Sequence, residues 1–148
     1  MYSRFLLYRW RDYMITINYW AVLIATIVSC VIGSLWYGPL FGNTWMKLTG
    51  VSPKAMKEMQ KKAKYSMIVQ IIATLVMSAV LSLFVSALEI VGWPEGIGLG
   101  FWLWLGFLAP VLLGSILWEG KPVKLYILNA AYWLVNLCVM GAIIGLWK

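Results

Sequence analysis

Apolar residues fall into four long runs, parted by short stretches rich in polar residues, glycine or proline. The runs cover about residues 18–38, 65–90, 98–118 and 123–147. Each matches the roughly 20 residues that cross a bilayer as a helix. "VGWPEGIG", with Gly92, Pro94 and Gly96, punctuates the chain between the second and third runs. "EGKP" at 119–122 parts the third from the fourth. So short a turn makes those two helices antiparallel neighbours. The pattern predicts an all-α membrane protein of four transmembrane helices, forming one domain over residues 14–148.

Polar and small residues inside the runs recur every fourth position. The rows are Ala21, Ala25, Ser29, Gly33 in the first span and Ser66, Gln70, Thr74, Ser78, Ser82, Ser86 in the second. Gly106, Pro110, Gly114 follow in the third, and Gly141 with Gly145 in the fourth. Lipid offers no hydrophobic drive for helix association, so such ridges, which let backbones approach, are the expected glue. They suit a packed bundle, a homo-oligomer or a larger membrane complex. In the fourth span Asn129, Tyr132 and Asn136 share one face. Counted inward from residues 65 and 123, Gln70 matches Asn129 in depth, and Ser78 matches Asn136. Buried amides need partners. Spans 2 and 4 are therefore expected to hydrogen-bond at these two levels or to line a small polar cavity. The candidate intramembrane face is Gln70, Thr74, Ser78, Asn129, Tyr132 and Asn136.

Composition agrees with this reading. Of 148 residues, 63% are hydrophobic and 11% charged, whereas soluble domains carry about 25% charge. The charges also orient the bundle. Lys47, Lys54, Lys57, Lys61, Lys62 and Lys64 lie between spans 1 and 2, and Lys121 and Lys124 between spans 3 and 4. The other side holds Lys148, with Arg4, Arg9 and Arg11 of the prefix. Basic loops stay in the cytoplasm, so both termini are expected outside a cytoplasmic (inner) membrane. The aromatic and basic stretch "MYSRFLLYRWRDY" (1–13) reads as an upstream start or a short amphipathic prefix, without a cleavage site. Within the basic segment 43–64, "SPKAMKEMQKKAK" predicts a helix capped by Ser52, opened by Pro53 and continuing into span 2. Its Lys57, Lys61, Lys62 and Lys64 suit anionic lipid headgroups. No aromatic platform accompanies them, so nucleic acid is not the expected partner.

The chain has no histidine. That removes His-ligated metals and His-activated nucleophiles, and no metal site or cofactor is expected. Cys30 and Cys138 sit singly in apolar runs and read as small hydrophobes. No charge lies at a span centre, where proton-coupled transporters carry a carboxylate. Glu89 and Glu119 fall at span ends. Three readings remain. The first is a non-enzymatic accessory or self-associating membrane component. The second is a small transporter or channel using the polar face of spans 2 and 4. The third is a membrane enzyme acting on lipid, for which no spacing joins a nucleophile to a base.

"LWYGPLFG" (35–42) closes the first run. Trp36 and Tyr37 read as interfacial anchors, with Gly38, Pro39 and Gly42 ending the helix. An echo, "LGSILWEGKP" (113–122), places Trp118 and Glu119 similarly. It suggests two tandem helical hairpins related by a pseudo-twofold axis along the membrane normal. Two independent helix exits explain the echo equally well. "IGSLWYGPLFGNTWMKLTG", "GFWLWLGFLAPVLLGSILWEGKP" and "LYILNAAYWLVNLCVMGAIIGLW" resemble the bacterial family called domain of unknown function 1761. The resemblance covers about residues 18–147, with "LWYGPLFG" and "NAAYWLV" its most specific parts. It implies a four-span membrane protein with no assigned activity, so no catalytic residue carries over.

Overall fold

A computed structural model describes residues 16–147. The expectations for the prefix 1–13 lie outside the described residues. The elements are α1 (Tyr19–Leu35), a π-helical turn (Trp36–Leu40), α2 (Gly42–Thr49), α3 (Pro53–Lys61) and α4 (Ala63–Ala87). Then come α5 (Trp93–Leu103), a second π-helical turn (Trp104–Leu108), α6 (Ala109–Leu117) and α7 (Val123–Leu146). No strand occurs among the described residues. Four stretches are long and apolar enough to cross a membrane. Span 1 is Tyr19–Leu40, span 2 Ala63–Ala87, span 3 Trp93–Leu117 and span 4 Val123–Leu146. The chain is a multi-pass, all-α membrane protein. Trp20, Met67, Phe107 and Val111 are among its exposed large apolar side chains, as suits a lipid solvent.

Span 3 begins five residues before the expected boundary. Its first turn is built at "WPEG", with Pro94 where an amide would have no partner. Glu95 Oε2 accepts the Val91 amide at 2.9 Å. Gly96, read as a breaker, lies inside the helix together with Gly100, because another backbone needs their missing side chains. A Cβ on Gly96 would overlap the carbonyl of Gly141, and one on Gly141 the carbonyl of Gly96. Gly100 lies equally close to the Leu137 carbonyl. Beyond the helix start, the Gly92 amide donates to the Gly145 carbonyl at 2.9 Å. The Gly141/Gly145 ridge is thus covered by Gly92, Gly96 and Gly100 of the same chain. Spans 3 and 4 form the most extensive helix pair.

Spans 1 and 2 pack on span 4 through smaller contacts. Ala21, Ala25, Leu81, Val85, Met140 and Ile144 form the buried core, toward the end of the bundle that carries the termini. Here the fourfold rows act as expected: Ala21, Ala25 and Ser29 of span 1 are buried, as are Thr74, Ser78 and Ser82 of span 2. Toward the lysine-rich end span 2 leaves the bundle, and residues 61–73 are all exposed.

Several local expectations change. Ser52 does cap α3, its Oγ accepting the Ala55 amide at 3.2 Å, but α3 stops at Lys61. Lys62, off the helical conformation, separates it from span 2. The first exit does break at Gly38, whose φ of −102° and ψ of −107° are not helical, and Pro39 follows within a widened turn that closes with a Phe41 amide to Trp36 carbonyl bond of 2.9 Å. Proline disrupts the regular ladder, and the widened turn absorbs it. The second π turn likewise lies just before Pro110. The two exit motifs take different forms. Trp36 is half-buried beside Phe41 and Tyr132, whereas Trp118 is 88% exposed. Glu119 is exposed too.

The glycine contact gives a paired prediction. Gly96→Ala forces two backbones apart and costs about 1–3 kcal/mol. Gly98→Ala, with open space around it, stays within about 0.5 kcal/mol. Thermal unfolding in detergent checks both; equal effects contradict the contact.

Candidate functional site

Because span 2 splays away at the lysine-rich end, it leaves a cleft of about 660 Å³ against spans 1 and 4. Three of the six expected intramembrane residues, Gln70, Thr74 and Tyr132, line it. Span 1 contributes Ser29, Cys30 and Ser34, and Ser66 stands near the mouth. Met59 of the amphipathic helix α3 also reaches it.

The other three expected residues lie elsewhere. Ser78 is fully buried and donates to the Val22 carbonyl of span 1 at 3.0 Å. Asn129 Oδ1 accepts the Tyr37 hydroxyl at 2.9 Å. Asn136, 1% exposed, donates from Nδ2 to the Tyr132 hydroxyl oxygen at 3.2 Å. The direct span 2 to span 4 hydrogen bonds expected at the Gln70–Asn129 and Ser78–Asn136 levels are not formed. Helix splay explains the first level: with span 4 distant, Thr74 Oγ1 donates to the Gln70 carbonyl at 2.8 Å, and Gln70 Nε2 to Thr74 Oγ1 at 3.4 Å. Each group takes the nearest acceptor one turn away. At the second level span 1 supplies the partner instead.

A second cleft, of about 700 Å³, lies between α2 and spans 3 and 4. Asn43, Trp45, Leu112 and Asn129 line it, with Met56 of α3. Tyr37 and Trp133 line both clefts, so they form the wall between them. That wall is aromatic. Tyr37 meets Tyr132 edge-on at 5.0 Å, and Tyr132 meets Trp133 at 5.0 Å. Gly42 permits the tight turn behind it, since a Cβ there would lie 2.6 Å from the Tyr37 carbonyl. The "LWYGPLFG" stretch therefore builds the site as well as the exit. Sequence reasoning gave Tyr37 the role of an interfacial anchor, Cys30 that of a small hydrophobe and Ser29 a place in a packing row, and it did not assign them or Ser34 to a cleft.

The chemistry on offer is hydrogen bonding and ring contact. Among the described residues no Asp, Glu, Lys or Arg lines either cleft. No group of three His, Cys, Asp or Glu able to hold a metal occurs among the described residues. Among the described residues, two buried side-chain atoms have no hydrogen-bond partner, Asn136 Oδ1 and Trp36 Nε1. Lys57, Lys61, Lys62 and Lys64 are exposed at the open end, and Lys61 pairs with Glu58 at 2.8 Å.

An orphaned acceptor makes Asn136 expensive to keep. Asn136→Leu removes one hydrogen bond and the orphan together, so stability changes by less than about 1 kcal/mol despite full burial. Unfolding in detergent checks this. A loss above about 3 kcal/mol, as for a broken buried network, contradicts it.

The profile described as "Protein of unknown function (DUF1761)" matches residues 20–145. Among curated proteins and solved structures nothing matches the chain. The matched segment begins one residue into span 1 and ends one residue before the end of span 4, so the chain belongs to the DUF1761 family.

Proposed function

We propose that this protein is a non-enzymatic component of the cytoplasmic membrane that binds a small molecule in the cleft between spans 1, 2 and 4. The observation that carries this reading is the polar wall of that cleft. Ser29, Ser34, Gln70, Thr74 and Tyr132 line it; Ser34 and Thr74 donate to carbonyls of their own helices and Gln70 to Thr74 at 3.4 Å, which leaves accepting capacity on their oxygens. A ligand bearing hydroxyl or amide groups can donate to them. With the lysine-rich end in the cytoplasm and both termini outside, the cleft opens toward the inner leaflet. Lys57, Lys61, Lys62 and Lys64 then rest among anionic headgroups. Binding rather than catalysis fits the lining, which among the described residues holds hydroxyls, an amide, a thiol and phenols but no carboxylate or ammonium to act as base or acid near neutral pH.

Self-association through the Gly141/Gly145 ridge has less support, because span 3 of the same chain covers that ridge. An accessory role through bound ligand remains the better fit.

Native mass spectrometry of the protein extracted from its own membrane tests the reading. Wild type is expected to carry a defined adduct. Gln70→Leu with Thr74→Val, removing two hydrogen-bonding groups, lowers its occupancy about tenfold. Cys30, in the cleft wall, reacts with maleimide faster once the adduct is stripped. Wild type free of any adduct, with Cys30 reacting at one rate throughout, contradicts the proposal.

A further inference from the structure

The cleft has a counterpart at the opposite end of the same helices. A pocket of about 440 Å³ there is lined by Asn18, Trp20, Ser82, Ser86 and Trp147. Ser82 and Ser86 continue the row on span 2 that gives Ser66, Gln70 and Thr74 to the cleft. One member of the row lies between the two openings. Ser78 is 0% exposed and tied to the Val22 carbonyl. Ala21, Ala25, Leu81 and Met140, none above 2% exposed, close the space around it. The closed stretch from Thr74 to Ser82 is short, about 12 Å at 1.5 Å per residue. On span 4 the fully buried Asn136 keeps an unpartnered Oδ1 one turn beyond Tyr132.

We propose that the two pockets are the ends of one translocation path along span 2, closed at Ser78 in this conformation. The cargo is a small uncharged solute carrying hydroxyl or amide groups. This inference rests on the binding reading of the cleft and adds movement across the membrane. The cargo class follows from the lining. Hydroxyls and side-chain amides line both ends, and among the described residues no ionised side chain does. The barrier is made of small residues and one interhelical hydrogen bond from a span-2 side chain. Rocking span 2 about Ser78 would close the splayed half and open the packed half, the alternation used by many carriers.

Side-specific labelling tests the path without a known ligand. The full chain carries Cys30→Ala, Cys138→Ala and one new cysteine, Thr74→Cys or Ser82→Cys. A charged, impermeant methanethiosulfonate reagent is added to sealed vesicles of either orientation. Thr74→Cys is expected to react from both faces, more slowly from the face bearing the termini. Adding Ser78→Ala removes the tie to Val22 and raises that slower rate roughly fivefold. Swelling of proteoliposomes in glycerol, the probe solute, is expected to exceed that of empty liposomes. The path is overturned if Thr74→Cys reacts only from the lysine-rich face and Ser82→Cys only from the other, with no glycerol uptake. Labelling of the wild-type gate decides this even if the Ser78 variant fails to fold. A binding cleft without a path would still protect Cys30 with its adduct, so the two failures are distinguishable.

Discussion

Lipid tails are as apolar as the side chains they bathe, so helices in this bundle cohere only where backbones come close. The closest approach is glycine on glycine, Gly96 against Gly141, extended by Gly100 at Leu137 and by the Gly92–Gly145 hydrogen bond. This contact fixes spans 3 and 4 as one rigid unit. Span 4 then presents its other faces to spans 1 and 2, and the asymmetry of the bundle follows. One hairpin is welded along its length. The other is joined by a long basic connection that holds α2 and α3; its span 1 stays on span 4 as far as the Tyr37–Asn129 hydrogen bond, and its span 2 alone is tied down only near the termini.

That asymmetry creates the site. Where spans 1, 2 and 4 pack fully, small residues and Met140 leave no space, and Ser78 finds a partner in span 1. Where span 2 diverges, the same fourfold row keeps its polar groups but loses its neighbours. Gln70 and Thr74 then satisfy each other within one helix and face a cleft. A packing ridge and a binding wall are thus made from one sequence pattern. Helix separation decides which it becomes. The aromatic wall of Tyr37, Tyr132 and Trp133 holds the opening against collapse, and the Tyr37–Asn129 hydrogen bond anchors it.

The four spans are legible in the sequence because an apolar run of bilayer length has few other uses. The start of span 3 is not. Glycine breaks a helix in water yet permits the closest helix contacts in a membrane, and only the partner ridge at Gly141 and Gly145 separates the two meanings. For the site, the polar identity of Gln70, Thr74, Tyr132 and Asn136 is legible from their periodicity. Their partners are not, because depth alone does not give the splay of span 2. Tyr37 is hidden for another reason. Beside Gly38 and Pro39 it looks like the end of a helix, and the π turn that carries it onward leaves no periodic signature.

An aqueous-access profile along span 2 bears most directly on the central claim, that one polar row faces open clefts at both ends and packed protein between them. Nitroxide labels at residues 66, 70, 74, 78, 82 and 86 can be read for collision with a water-soluble nickel chelate and with oxygen in reconstituted bilayers. Access to the chelate is expected to be high at Gln70 and Thr74, to vanish at Ser78 and to return at Ser86. Oxygen-dominated, lipid-like collision at positions 70 and 74 would contradict the claim.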